Sequence, residues 1–157
     1  MHYSNAKLFR PRPASWRRGA TTLELAIVLL VFLMLTLGML DLGLAVFRSH
    51  VLSHAARQGT RQAMVRGEFA DRLGKLGPAA FSGTAADNQA VADALRPHLV
   101  TMDPSDVMLQ VEWPDGSNEV KDRVKVTLSA EYAPVTTFLF GNPSWTLRSS
   151  STVTIAH

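Results

Sequence analysis

A carboxylate stands at the start of a long apolar run, and its position calls for a chemical explanation. Glu24 is followed by Leu25–Leu40, which contains no charged residue. An unpaired charge inside a bilayer is costly, so Glu24 needs either a cationic partner or a place at headgroup depth where water solvates it. As an acid in the first helical turn, it would also favour the start of a helix.

The sequence lacks the residue patterns that indicate catalysis or metal binding. His50 and His54 are four residues apart on a predicted helix, but no glutamate of a zinc protease motif lies between them and no third ligand is evident. A G-x-S-x-G elbow and a phosphate-binding glycine loop are both absent. Without cysteine there is no disulfide, thiolate nucleophile or cysteine metal site. We therefore predict no enzymatic activity, no metal and no cofactor.

The segment 20–47 is predicted to be a transmembrane helix. As a helix it would extend about 40 Å, which exceeds the hydrocarbon core of about 30 Å. A core helix of a soluble protein would show a polar stripe, and Ile27–Leu35 shows none. A secretory signal peptide would have a shorter apolar stretch followed by a small-residue cleavage site. The sequence therefore predicts one membrane span that is retained.

Basic residues before the span predict its orientation. They are Lys7, Arg10, Arg12, Arg17 and Arg18. Clustered bases beside a span stay on the cytoplasmic side of the membrane, so residues 1–19 are predicted to be cytoplasmic and residues 48–157 to be exported. A basic cluster also suits nucleic acid, but its place beside an apolar run favours the membrane, and we predict no nucleic-acid partner.

A glycine and a glutamate five residues apart precede the apolar run. Residues 17–24 read RRGATTLE and continue as LAIVLL. This segment resembles a type IV prepilin processing site, where a membrane-embedded aspartyl peptidase cuts after a glycine and a glutamate stands five residues beyond. The resemblance implies cleavage between Gly19 and Ala20, with residues 1–19 removed as a leader.

Two later segments, LDLG at residues 40–43 and AARQGTRQA at residues 55–63, resemble the pattern after the span in TadE-like proteins. The resemblance covers residues 17–66 and implies a TadE-like pseudopilin, a minor pilin of the Tad (type IVb, Flp) pilus system of the bacterial inner membrane. The implied partners are the prepilin peptidase, other pilins or pseudopilins and the pilus assembly platform. Leu25 stands where Tad-type pilins commonly carry an aromatic residue, which favours a minor pilin.

The resemblance also assigns roles to individual residues. Cleavage would free an amine on Ala20 that is mostly cationic at neutral pH, and Glu24 of a neighbouring subunit would neutralise it. Asp41 lies about 32 Å beyond Ala20 along a helix, at the far interface, where it marks the boundary of the span or contacts another helix. The candidates for contacts between helices or subunits are Asp41, Arg57, Gly59 and Arg61.

The helix is predicted to continue past the bilayer with one packed face. Residues at spacings of three and four form this face: Leu44, Phe47, Val51, Leu52, Ala55, Gly59 and Ala63. The small residues among them permit close approach of a neighbour. Either the chain's own sheet or a sister pseudopilin can cover the face, and the sequence leaves both open.

The exported part is predicted to be an α+β domain. Gly67–Gly83 is expected to be a connection with at most a short helix around Glu68–Leu73. Thr84–Asp87 has the form of a capping box before a second helix over Ala90–Arg96, which Pro97 ends.

A three-stranded antiparallel sheet is expected to pack on the emerging helix. Alternation predicts strands at 107–113, 123–132 and 145–155, the first two forming a hairpin with a Pro114-Asp115-Gly116 turn. Trp113, Phe138, Phe140 and Trp145 are expected to fill the core or to anchor at an interface.

A different class of function remains open. An uncleaved, single-pass anchored module would display its domain as an adhesin or sensor, and Gly19 and Glu24 would then have no role in processing. An envelope enzyme would need a nucleophile with its base, which this sequence does not show. Removal of the first 19 residues distinguishes the pseudopilin from the binding module.

Overall fold

The computed structural model describes residues 15–70, 73–136, 141 and 144–156, with side chains from residue 19 onward. The helices are α1 (Ser15–Met64) and α2 (Ala90–Leu95), and 3₁₀ turns follow at Arg96–His98 and Pro104–Asp106. The strands are β1 (Phe81–Thr84), β2 (Val107–Glu112), β3 (Arg123–Tyr132) and β4 (Trp145–Thr154). The chain divides into two compact units, residues 1–38 and 39–157.

The first unit contains the apolar half of α1. Among the described residues, α1 is the one helix long and apolar enough to cross a membrane, with a mean hydropathy of 2.6 over its most apolar 18-residue window. No residue of that window is buried, unlike the core helix of a soluble protein. Thr36 donates its hydroxyl hydrogen bond to the carbonyl of Phe32 at 2.8 Å, so this polar group is satisfied within the helix. The helix therefore has the character of a single-pass membrane anchor.

The second unit contains an antiparallel sheet in the order β1-β2-β3-β4. The predicted α+β class, the short second helix and the β2–β3 hairpin are confirmed. The predicted number of strands was wrong, because β1 adds a fourth strand in a segment expected to be a connection. Phe81 pairs with Val111 and Thr84 with Met108 in the ladder. Four residues that include Gly83 are too few to show an alternating pattern, which is why the sequence did not indicate this strand.

The predicted capping box closes a turn and does not start a helix. The Thr84 N–H donates to the carboxylate of Asp87 at 2.7 Å, which is one half of the expected box. The Asp87 N–H donates back to the Thr84 carbonyl at 3.2 Å, so the chain turns directly after β1. The second helix instead begins after Gln89, which gives no side-chain cap. It ends at Leu95, one residue earlier than predicted.

The sequence allowed at most a short helix around Glu68–Leu73, and the described residues 68–70 and 73 are not helical.

Arg96 holds the turn after β1 in place from the far end of α2. Its guanidinium donates to the carbonyl oxygens of Ala85 at 3.0 Å, Ala86 at 2.9 Å and Asp87 at 2.8 Å. Pro97 follows in a 3₁₀ turn because proline cannot continue an α-helix.

The core lies between the carboxyl-terminal half of α1, α2 and one face of the sheet. Alternate residues of the central strands are fully buried: Val107, Leu109 and Val111 in β2, and Val124, Val126 and Leu128 in β3. On α1, Leu52, Ala55, Gly59 and Ala63 are buried as the predicted face required. Leu44 and Phe47 were also assigned to that face, but they are 42% and 47% exposed. The chain's own elements therefore cover the later turns of this face.

Gly59 is where α1 approaches α2 and the sheet most closely. A Cβ at this position would lie 3.2 Å from Val91 Cγ1 and 3.4 Å from Val126 Cγ1. A valine would add two further methyl groups to a space that is already filled. The small residue noted in the sequence is therefore required by packing inside this chain.

We expect Gly59→Val to destabilise the domain by about 1–3 kcal/mol, the usual cost of overpacking a core. The measurement is thermal unfolding in detergent, followed through the fluorescence of the buried Trp113. Gly43→Val is the matched control, because a Cβ at Gly43 meets nothing within 4 Å. Both changes give the same gain in helix propensity, so an equal shift in the two variants would contradict the prediction.

An ion pair closes the connection between β2 and β3. The Gly116 N–H donates to the Trp113 carbonyl at 3.0 Å, which forms the predicted turn. Asp115 accepts from the guanidinium of Arg123 at 2.6 and 3.0 Å and from its backbone N–H at 2.8 Å. The side-chain hydrogen bonds from Arg123 lower the pKa of Asp115 to about 2. The pair fixes the first residue of β3.

Candidate functional site

The predicted cleavage position lies inside α1 near its amino end. The helix begins at Ser15, so the peptide bond between Gly19 and Ala20 is helical. Both residues are exposed, and a Cβ at Gly19 would meet nothing within 4 Å. Packing within the described residues therefore gives no reason for a glycine here. A protease binds its substrate as an extended strand, and a glycine lowers the cost of unwinding the helix by up to about 1 kcal/mol relative to alanine.

Glu24 is exposed, one helical turn after Ala20. Residues four apart lie on the same face of a helix, and side chains tilt towards its amino end. Glu24 therefore lies on the same face of α1 as Ala20. No side chain among the described residues pairs with Glu24.

Asp41 is the second carboxylate on the helix, and its environment is different. Its side chain is 6% exposed, whereas the adjacent Leu40 and Leu42 are 59% and 68% exposed. One carboxylate oxygen accepts from the Val135 N–H at 2.7 Å, and the other accepts from the Thr136 N–H at 2.9 Å and from the Thr136 hydroxyl. The Tyr132 hydroxyl donates to the Asp41 backbone carbonyl at 2.9 Å. We call these four residues the Asp41 clamp.

The local sequence explains how the clamp forms. β3 ends at Tyr132, and Pro134 then turns the chain because it has a fixed φ and no N–H for a ladder. Two successive N–H groups follow, from Val135 and Thr136, and such pairs favour binding of an anion. Hydrogen bonds to an ionised carboxylate are roughly twice as strong as neutral ones, which offsets the loss of water around Asp41. The clamp fastens the β3–β4 connection to the second unit's part of α1.

Aromatic and cationic groups extend the clamp on one side. The guanidinium carbon of Arg48 lies 5.2 Å from the ring centroid of Tyr132, and the Trp145 ring lies 6.4 Å from the same centroid. Burial raises the pKa of the Tyr132 hydroxyl, so this group stays protonated and remains a donor. Of the aromatic residues singled out in the sequence, Trp113 is buried and Trp145 is exposed, while Phe138 and Phe140 lie outside the described residues.

The structure places the other interface candidates on different surfaces. Arg57 is exposed and donates to the Ser53 hydroxyl at 3.1 Å within α1. Arg61 is also exposed, one turn later, whereas Gly59 lies in the core of its own domain. Asp41 is engaged by its own chain, and a contact between subunits through Asp41, Arg57 or Arg61 stays a prediction.

The partners of Asp41 were not identified in the sequence. Tyr132, Val135 and Thr136 lie at least ninety-one residues away along the chain. A carboxylate at the end of an apolar segment signals that donors must be near, but it does not say where they come from. In the segment that supplies these donors, the available indication was the Pro134 turn, which is followed by two free N–H groups.

The histidines do not form a metal centre among the described residues, where no group of three His, Cys, Asp or Glu side chains could hold an ion. The rings of His54 and His98 contact each other edge to face, with centroids 5.0 Å apart. The open depression beside them is lined by Phe47, His50, Val51, His54, Pro97, His98 and Val100.

Comparison with known proteins identifies the helical segment. Residues 19–61 match the family model described as TadE-like protein. No curated protein and no solved structure matches the chain. The resemblance stated from the sequence is therefore confirmed for this segment, which includes Gly19, Glu24 and Asp41.

Proposed function

We propose that this chain, which carries a TadE-like segment at residues 19–61, is a minor pilin or pseudopilin that takes part in assembly of a Tad-type pilus. The observation that carries the proposal is the match of residues 19–61 to the TadE-like family model, a segment that contains Gly19 and Glu24 of the prepilin pattern. The same segment contains the apolar helix that would hold the protein in the bacterial inner membrane. The basic residues before it favour a cytoplasmic amino terminus and an exported domain.

In the proposed processing step, a prepilin peptidase hydrolyses the bond between Gly19 and Ala20. Water supplies the hydroxyl of the new Gly19 carboxylate, and Ala20 keeps the new amine. The exposure of both residues and the open space around Gly19 support access by the enzyme. The helical start must unwind locally, which is easiest in the first turns because their N–H groups lack intrahelical partners.

In the proposed assembly step, Glu24 of one subunit neutralises the Ala20 amine of a neighbour. A carboxylate alone in an apolar helix bundle is unfavourable, whereas an ion pair with a hydrogen bond is tolerated. The lack of a partner for Glu24 among the described residues supports this role. The partners are other small pilin subunits and the assembly platform, and the proposal assigns the chain no catalytic step.

We expect Glu24→Gln to insert into the membrane normally and to lose its partner subunits. Removing one member of a buried ion pair should reduce recovery of partner pilins with the tagged protein on the order of tenfold or more. The measurement is co-purification from membranes, with membrane extraction as the test of insertion. Glu131→Gln is the matched control, since Glu131 is exposed in β3. Wild-type recovery of partners with Glu24→Gln would contradict the assembly role.

The proposed function is tested by the mass and the amino-terminal sequence of the protein. The chain is recovered from membranes of cells that contain or lack a prepilin peptidase. We expect a mature chain that starts at Ala20 only in cells with the peptidase. An intact leader in both would overturn the proposal and would leave an uncleaved membrane-anchored binding module.

A further inference from the structure

The Asp41 clamp ties the β3–β4 connection to one particular turn of α1. Three hydrogen bonds join them with distances of 2.7 to 2.9 Å, from Val135, Thr136 and Tyr132. Both carboxylate oxygens and the backbone carbonyl of Asp41 are used. The backbone of Val135 and Thr136 must therefore lie at the same level along the helix as Asp41.

That turn of the helix lies about one membrane thickness beyond the predicted cleavage position. Asp41 lies about 32 Å beyond Ala20 along a helix, close to the thickness of a hydrocarbon core of about 30 Å. Met39 and Leu40, the residues just before it, are 76% and 59% exposed. These apolar side chains belong to the surface that a membrane would cover. Leu42, just after Asp41, is 68% exposed, so the connection between β3 and β4 is fastened where the surface of the helix is still apolar.

The described residues on either side of this connection expose apolar surface. Val135 is 62% exposed and Trp145 is 53% exposed. Tryptophan favours the membrane–water interface, where its ring lies among headgroups and its N–H finds a polar partner. Arg48, beside Tyr132, adds a cation about 10 Å beyond Asp41 along the helix, and anionic headgroups attract such charges. Apolar surface, an aromatic ring and a cation together match the chemistry of a lipid headgroup layer.

We infer that Val135 and Trp145, described residues near the two ends of the β3–β4 connection, form a second membrane contact by entering the interfacial layer of the bilayer that α1 crosses. The inference rests on the proposed membrane anchor. Val135 donates its N–H to Asp41 and Trp145 lies beside Tyr132, so Val135 belongs to the clamp and Trp145 flanks it. The contact fixes the depth of the sheet at the membrane, with Asp41 as the positioning residue.

The test uses single cysteines, because the chain contains none of its own. Val135→Cys, Val120→Cys and Leu30→Cys carry an environment-sensitive fluorophore in the full chain, reconstituted in nanodiscs of phosphatidylethanolamine and phosphatidylglycerol. Val120 is 40% exposed and lies beyond the opposite end of β3, about 30 Å along the strand from Tyr132. It is the matched aqueous control. Leu30, which is 58% exposed on the apolar helix, reports on the anchor itself.

We expect the label at residue 135 to show blue-shifted emission and quenching by lipids that carry a nitroxide at the headgroup. The label at residue 30 should be quenched by nitroxides on the acyl chains, and the label at residue 120 by neither. Adding Asp41→Ala should lower the quenching at residue 135 towards that at residue 120. The substitution at residue 135 keeps the backbone N–H that the clamp uses, so it should not itself release the connection.

Three other outcomes would overturn the inference in different ways. If the labels at residues 135 and 120 behave alike while residue 30 is in lipid, the anchor stands and the second contact is wrong. A blue shift at residue 135 without quenching by any lipid nitroxide would show that protein, from the same chain or from a second copy, covers the surface in place of lipid. If residue 30 is not in lipid, the anchor and the proposed function fail together.

Discussion

Replacing Gly19 by valine is expected to abolish removal of the first 19 residues while insertion into the membrane is unchanged. A Cβ at this position meets nothing within 4 Å, so the variant should fold as the parent does. The loss arises at the peptidase, because a β-branched side chain occupies the place of a hydrogen atom beside the bond to be cut. Valine also favours helix more than glycine does, which makes local unwinding harder. Intact mass of protein from peptidase-containing cells measures the result.

Gly38→Val is the matched control for this experiment. Gly38 lies in the same helix, and a Cβ added there would likewise meet no atom within 4 Å. We expect this variant to lose its leader as the parent does. Wild-type processing of Gly19→Val would show that the cut lies elsewhere or does not occur, and the proposed function would then lose its main support.

Asp41→Asn is expected to release the β3–β4 connection from α1. Asparagine keeps the shape of the side chain but replaces one acceptor oxygen with an NH₂ group. In either orientation, that group would face a backbone N–H, of Val135 or of Thr136. Because charge-assisted hydrogen bonds are about twice as strong as neutral ones, we expect exchange of these two amides to accelerate on the order of tenfold or more. Hydrogen exchange of the full chain in nanodiscs measures the change.

Thr136→Val provides a graded comparison. It removes the hydroxyl that donates to Asp41 but keeps both backbone N–H groups. We therefore expect a smaller acceleration than with Asp41→Asn. Unchanged exchange in both variants would mean that Asp41 acts only as a solvated marker of the membrane boundary, which was the simpler interpretation of the sequence.

The sequence predicted elements whose pattern is long and failed where the pattern is short. β2, β3 and β4 alternate over six to ten residues, and each was placed within one residue of its observed bounds. β1 has four residues, and its identity as a strand depends on pairing with β2. The Thr84–Asp87 segment forms the side-chain hydrogen bond expected at a helix start, but this bond closes a turn after β1. The sequence therefore indicated the local hydrogen bond correctly, and the pairing of β1 with β2 determined that no helix starts there.

The candidate site likewise contains features that local sequence predicts and features that depend on distant residues. The Gly19–Glu24 spacing and the apolar run are local, so the sequence alone was enough to propose a processed anchor. The buried state of Asp41 depends on donors ninety-four and ninety-five residues away, and no local pattern could supply them. Gly59 is intermediate: its size indicated close approach, but only the fold shows that Val91 and Val126 are what approach it.

The order of the strands has a consequence for how the domain forms during synthesis. Each strand of the sheet pairs with the strand next to it in the chain, so no strand must be inserted between two others. Sheets with such local pairing close short loops and fold faster than those with distant pairing. In the proposed export, the residues after α1 cross the membrane in sequence order, so β2, β3 and β4 can each pair with the preceding strand as they emerge. The growing edge remains unpaired only until the next strand arrives.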